Sequence, residues 1–127
     1  ALYGGEIETP SIERLAAMGT TFSRFHTAPM CSPSRAMLLT GVAQHRTGYG
    51  TMEEFLAGNQ RGRPGYEGFL STSVVTIGEH LQRAGYDTFM TGKWHLGLSQ
   101  LPSARGFDRT FVLVDGAASH YDMSGYS

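Results

Sequence analysis

Cys31 is the only cysteine among 127 residues, and it opens the stretch Cys31-Ser32-Pro33-Ser34-Arg35. A lone cysteine is most often a small buried hydrophobe. The surrounding residues argue for a second role. Ser32, Pro33 and Gly41 predict a short helix over 32–41, with Ser32 as its cap, Pro33 at its first position and Gly41 past its end. Cys31 then lies just outside a helix N-terminus, where unpaired N–H groups and the positive end of the dipole favour a negative species. Arg35, four residues on, reaches back toward the same end and offers a planar fork to a tetrahedral oxyanion. A second pair of candidates, Lys93 and His95, flanks Trp94. A cation beside an imidazole suits neutralisation of an oxyanion and transfer of a proton. Taken alone, such a pair is ordinary surface decoration. Its weight comes from standing with Cys31 and Arg35.

The elements that would position these groups follow from periodicity and punctuation. "ETPSIERLAAMG", residues 8–19, predicts a helix with Thr9 as cap, Pro10 in its first turn, Gly19 at its exit and an apolar stripe of Ile12, Leu15, Ala16 and Met18. "TTFSRFHTA", residues 20–28, is rich in Thr and Phe and predicts extended chain leading to Cys31. Residues 57–68, "AGNQRGRPGYEG", form a Gly/Pro/Arg loop. Thr76 and Glu79 make a capping box that opens a helix, with Ile77, Leu81 and Ala84 on one face and Gly85 at its stop. "YDTFMT" (86–91) and "TFVLVD" (110–115) predict two short strands. Helix, strand and loop in repeated order imply an α/β fold with a mostly parallel sheet. Lys93 and His95 then leave the C-terminal end of a strand, where open α/β sheets place their sites. If the chain stays extended there, alternation sends both to one side and Trp94 to the other.

The bulk composition narrows the classes. Apolar residues make up 40% and charged residues 17% of the chain, a globular rather than a disordered balance. A net charge of -1 gives no electrostatic case for nucleic acid or an anionic membrane surface as partner. No apolar run approaches the ~20 residues of a membrane-spanning helix. A single cysteine excludes an internal disulfide framework. The chain opens on Ala1 and stops in loop-like "DMSGYS", so it reads as an internal piece of something longer.

Two cysteine chemistries separate by spacing. Cysteine-dependent phosphatases share a Cys-x5-Arg loop, which would require arginine at position 37, where Met37 stands. "CSPSRAMLLTG", residues 31–41, instead strongly resembles the formylglycine-dependent (type I) sulfatase family. "GYDTFMTGKWHLG", residues 85–97, is similar to that family's other characteristic segment. "GGEIETPSIERLAAMGTTFSRFHTA", "HRTGYGTMEE", "GRPGYEGFLS" and "RGFDRTFVLVDGAASHY" resemble bacterial-type arylsulfatases in particular, so the likeness covers nearly the whole chain. Thr91, before Gly92-Lys93, stands where the family more often carries an aliphatic or small residue.

The resemblance implies an alkaline-phosphatase-like α/β fold, with residues 1–127 as part of a sulfatase catalytic domain. It implies hydrolysis of a small-molecule sulfate monoester. Cys31, oxidised to formylglycine by a maturation enzyme, would supply the nucleophile and one metal ligand. Arg35 and Lys93 would stabilise oxyanions, His95 would be the base, and Ser119 and His120 would approach the substrate sulfate. It also implies calcium, held by an Asp-Asp pair upstream and an Asp-Asn pair downstream of this region, and a later histidine and lysine at the leaving group. Neither pair occurs in these residues. Glu53 and Glu54, the nearest paired acids, are expected beside the loop rather than facing Cys31. Asp87, Asp108 and Asp115 lack ligand-like spacing and read as turn or surface carboxylates. His26 and His45 read as structural, His80 as solvated and Trp94 as packing. Two alternatives stay open: a phosphonate or phosphodiester hydrolase sharing the same motif, and a non-catalytic remnant of the fold.

Overall fold

Strands β1 (Phe89–Lys93) and β2 (Arg109–Leu113) pair in parallel, from Phe89 opposite Arg109 to Lys93 opposite Leu113. They form the sheet of the computed structural model, which describes residues 4–119, 121 and 122. The ladder runs on past β1, where the Trp94 N–H donates to Leu113 O (2.7 Å) and the His95 N–H to Val114 O (2.9 Å). Strand β1 starts three residues into its predicted segment and runs on to Lys93, whereas β2 starts one residue ahead of its predicted segment, and Asp108 sits where both begin. Its carboxylate accepts from the Thr88 N–H and hydroxyl (2.9 and 2.8 Å), while its own N–H donates to Thr88 Oγ1 (3.0 Å). These bonds take up the polar groups ahead of the ladder and pin both strands at one level. Residues 94–108 make the crossover that parallel pairing requires, with only a 3-10 turn, Pro102–Arg105, along the way.

Helix α2 (Cys31–Thr40) begins two residues earlier than the sequence suggests. Its cap is Met30 in extended conformation, so Cys31 is the first helical residue and Ser32 does not cap. Pro33 is tolerated because first-turn N–H groups have no intrahelical partner in any case. The helix ends as expected at Gly41, left-handed at φ 68°, whose N–H donates to Met37 O (2.8 Å). Residues 20–28 correct a second expectation: among the described residues they pair with no strand and contain a turn at Ser23–Arg24. The segment is held instead at its end, where the Ser34 hydroxyl donates to Ala28 O (2.8 Å).

Helix α3 (Ile77–Arg83) carries the predicted capping box in full: Thr76 Oγ1 accepts from the Glu79 N–H (3.1 Å) and the Glu79 carboxylate from the Thr76 N–H (2.6 Å). The predicted apolar face of Ile77 and Leu81 is nevertheless exposed, and α3 packs through buried Gly78. A Cβ there would come within 2.7 Å of Gly106 O, and a Cβ on Gly106 would fall on the backbone of Gly78 and Glu79. Arg105, 3% exposed, locks the same corner by donating to the carbonyls of Leu70, Ser71 and Val74 and to Glu79. Gly106 is left-handed as well (φ 85°). Gly106→Ala combines overpacking with an unfavourable φ and should destabilise the full-length protein by about 3 kcal/mol. A denaturant midpoint within error of wild type would show that α3 does not need this close approach.

The core joins Ala36 of α2, Val112 of β2, Trp94, Leu96 and Phe107 of the crossover, and Tyr49, Leu70 and Val74 of the long irregular stretch. Trp94 is fully buried, as expected of a packing residue. Helix α1 (Pro10–Met18) forms as predicted, with Pro10 in its first turn, but it buries none of its residues. Gly19 caps it in extended rather than left-handed conformation. Ile12, Leu15 and Met18 are each more than half exposed. Among the described residues no helix is long and apolar enough to cross a membrane.

Candidate active site

The first turn of α2 and the chain leaving β1 bring Cys31 and His95 together across 64 positions of sequence, with Sγ 3.3 Å from Nδ1. Cys31 is a half-buried free thiol, and His95 is 8% exposed. His95 takes φ 52°, the one left-handed non-glycine residue among those described, and so turns its ring toward α2 while its N–H stays on the ladder. The chain therefore does not stay extended through His95, yet Lys93 and His95 both reach Gly116 while Trp94 packs into the core.

Arg35 makes the bridge between the two elements. Its Nε donates to Trp94 O (2.8 Å) and its Nη2 to Lys93 O. The guanidinium thus clamps α2 to the backbone immediately before His95. Burial pushes Arg35 down from its usual value, with charge at Cys31 acting the other way. Lys93, the last residue of β1, donates through Nζ to Gly116 O (2.6 Å) in the loop beyond β2. Gly116 lies flat against the His95 ring: a Cβ there would sit 2.9 Å from Nε2 and 3.3 Å from Glu54 Oε1.

Glu54 overturns its expected placement. The 3-10 turn Glu53–Phe55 brings its carboxylate to His95, with Oε1 2.8 Å from Nε2. Partial burial alone would raise the Glu54 carboxyl. Hydrogen bonds from its own N–H and from His95, with the nearby His95 and Lys93 charges, outweigh that and hold it below the usual carboxylate range. The same segment touches Cys31, whose thiol faces Met52 Sδ at 3.6 Å. Cys31, His95, Glu54, Met52, Phe55 and Asp115 line an open cleft. His95 and Glu54 also wall a second cavity, with Ser32 and Tyr49 on its far side. The Ser32 hydroxyl is buried without a hydrogen-bond partner.

Cys31, Arg35, Lys93 and His95 are thus brought to one place. Ser119 is half-buried, and its hydroxyl accepts from the Tyr121 N–H (3.1 Å). His120 lies outside the described residues. Asp108 is the strand clamp, and His45 pairs with Tyr66 (3.2 Å) on the surface. Asp115 is exposed but opens onto the cleft rather than onto an unrelated turn. A free thiol on a cleft, with a ring nitrogen 3.3 Å away, fits an oxygen-bearing group at position 31. A calcium cage does not fit: among the described residues no group of three His, Cys, Asp or Glu side chains is arranged to hold a metal ion, whereas calcium takes about six to eight oxygen ligands.

A family model described as Sulfatase matches residues 1–127. The chain is 48% identical over 124 residues to an uncharacterized sulfatase of Schizosaccharomyces pombe, covering 94% of this chain and 22% of that protein. It is 40% identical over 122 residues to an arylsulfatase of Klebsiella aerogenes, covering 94% and 26%. It is also 40% identical over 112 residues to the human N-acetylgalactosamine-6-sulfatase, covering 82% and 20%. The chain therefore spans about a fifth to a quarter of the length of these curated relatives. With the family model matched from end to end and an alkaline-phosphatase-like α/β arrangement behind the site, the chain belongs to the Sulfatase family.

Proposed function

We propose that residues 1–127 are part of a catalytic domain that hydrolyses sulfate monoesters of the arylsulfatase type, with position 31 as the nucleophile. The observation that carries this reading is the contact of Cys31 Sγ with His95 Nδ1 at 3.3 Å, between the two segments whose motifs resemble the family's. Oxidised to formylglycine by a maturation enzyme, position 31 would supply a hydrated aldehyde oxygen as the attacking group. His95 Nδ1, 3.3 Å from Cys31 Sγ, would take a proton from an oxygen at position 31. Lys93, at the end of β1, donates through Nζ to Gly116 O behind the cleft and would add positive charge near the sulfate oxygens. Arg35 keeps α2 and the His95 backbone in register, so that these groups meet without rearrangement. Met52 and Phe55 give the cleft an apolar wall that suits an aromatic leaving group. The calcium ligands implied by the resemblance would have to come from carboxylates beyond the described residues.

The test uses the full-length protein made together with a maturation enzyme. Rates on a chromogenic aryl sulfate and on the matching aryl phosphodiester are compared, and the peptide containing position 31 is analysed by mass after aldehyde trapping. The expected result is a trapped aldehyde and faster cleavage of the sulfate. A dominant phosphodiesterase rate would move the reading to that ester class. A free thiol with no turnover of either ester would indicate a remnant of the fold.

A further inference from the structure

We propose that Glu54 is the positioning residue of this site: it fixes the His95 ring in the tautomer protonated on Nε2, so that the Nδ1 lone pair faces position 31. The identity of the reaction rests on the reading above, whereas the placement of Glu54 does not.

Three observations carry it. Glu54 Oε1 lies 2.8 Å from His95 Nε2 while Cys31 Sγ lies 3.3 Å from Nδ1, so the two ring nitrogens are divided between one carboxylate and position 31. A carboxylate only accepts, and a neutral imidazole carries one N–H. The proton therefore belongs on Nε2, and the free lone pair on Nδ1. Second, Gly116 lies so close to both partners that any side chain there would meet the ring and the carboxylate together. Third, His95 is left-handed (φ 52°) with its N–H bonded to Val114 O, and its ring is then met at one nitrogen by Glu54 and at the other by Cys31. Glu53, on the same turn, packs toward Gly68 instead and provides an internal control.

The experiment uses the full-length, matured protein with 15N-labelled histidine and three variants, Glu54→Ala, Glu54→Asp and Glu53→Ala. In wild type, long-range 1H–15N spectra should show His95 protonated on Nε2. In Glu54→Ala the signal should move toward a mixture of tautomers. On aryl sulfate kcat should fall about 10–100-fold, the scale seen for carboxylates that orient a histidine, with KM within about twofold. Added formate should restore part of the Glu54→Ala rate, Glu54→Asp should lie between, and Glu53→Ala should match wild type. An unchanged His95 tautomer in Glu54→Ala, or an unchanged kcat beside an active wild type, overturns the proposal. If wild type cleaves no sulfate ester the reaction reading fails by itself, and the tautomer measurement still decides the role of Glu54.

Discussion

Replacing Cys31 by alanine is expected to lower kcat of the full-length, matured protein on a chromogenic aryl sulfate by at least about a thousandfold, the order that follows when the nucleophile of a two-step displacement is removed. The loss should appear in kcat rather than KM, because Lys93, Arg35 and the cleft wall stay in place. Folding should be little affected. Cys31 is only half-buried at the head of α2, and alanine is the best helix former. Steady-state kinetics, with aldehyde trapping confirming conversion in wild type and none in the variant, provides the check. A Cys31→Ala protein retaining more than about a tenth of wild-type kcat would place the nucleophile elsewhere, and the proposed chemistry would fall with it.

His95 should matter nearly as much, and the choice of replacement decides whether the experiment is clean. Alanine at φ 52° would add backbone strain to the loss of the imidazole. Asparagine tolerates the left-handed region far better, so His95→Asn isolates the chemistry. Loss of a positioned acid–base group costs about 10^2 to 10^4 in rate. If His95 serves the second half of the reaction, stopped-flow traces should show a burst of phenol close to one per site followed by slow turnover. A reduced rate without a burst would move the role of His95 to the first step. An unchanged steady-state rate would reduce it to a structural residue that fills the space between Cys31 and Glu54.

The secondary elements were largely written in local sequence, because their signals are local. Pro10 in the first turn of α1, the Thr76–Glu79 capping box and Gly41 past α2 each act within one turn of chain, and each formed as expected. The segments 86–91 and 110–115 overlapped the two strands without matching their ends, while the starting points were set by Asp108 reaching back to Thr88, a contact across 20 positions. Apolar stripes proved a poorer guide. Periodicity marks which face a helix would bury, not whether a partner is there to cover it, and the faces of α1 and α3 are exposed. The extended segment 20–28 shows the same limit, since β propensity cannot provide a strand to pair with.

For the site, residue types together with the resemblance of the two motifs marked Cys31, Arg35, Lys93 and His95 as candidates, and the fold brings them close to one another. Glu54 could not be found that way. Beside Glu53 it is one of two adjacent acids next to a glycine-rich loop, and nothing in its neighbours sets it apart. It becomes a partner of His95 because the 3-10 turn at 53–55 aims one half-exposed carboxylate at the ring, Gly116 leaves room for it, and a left-handed residue turns the ring to meet it. Spacing along the chain dictated which groups are available. Which nitrogen of His95 faces position 31 depends on contacts spanning 41 and 64 residues, and such contacts exist only once the chain has folded.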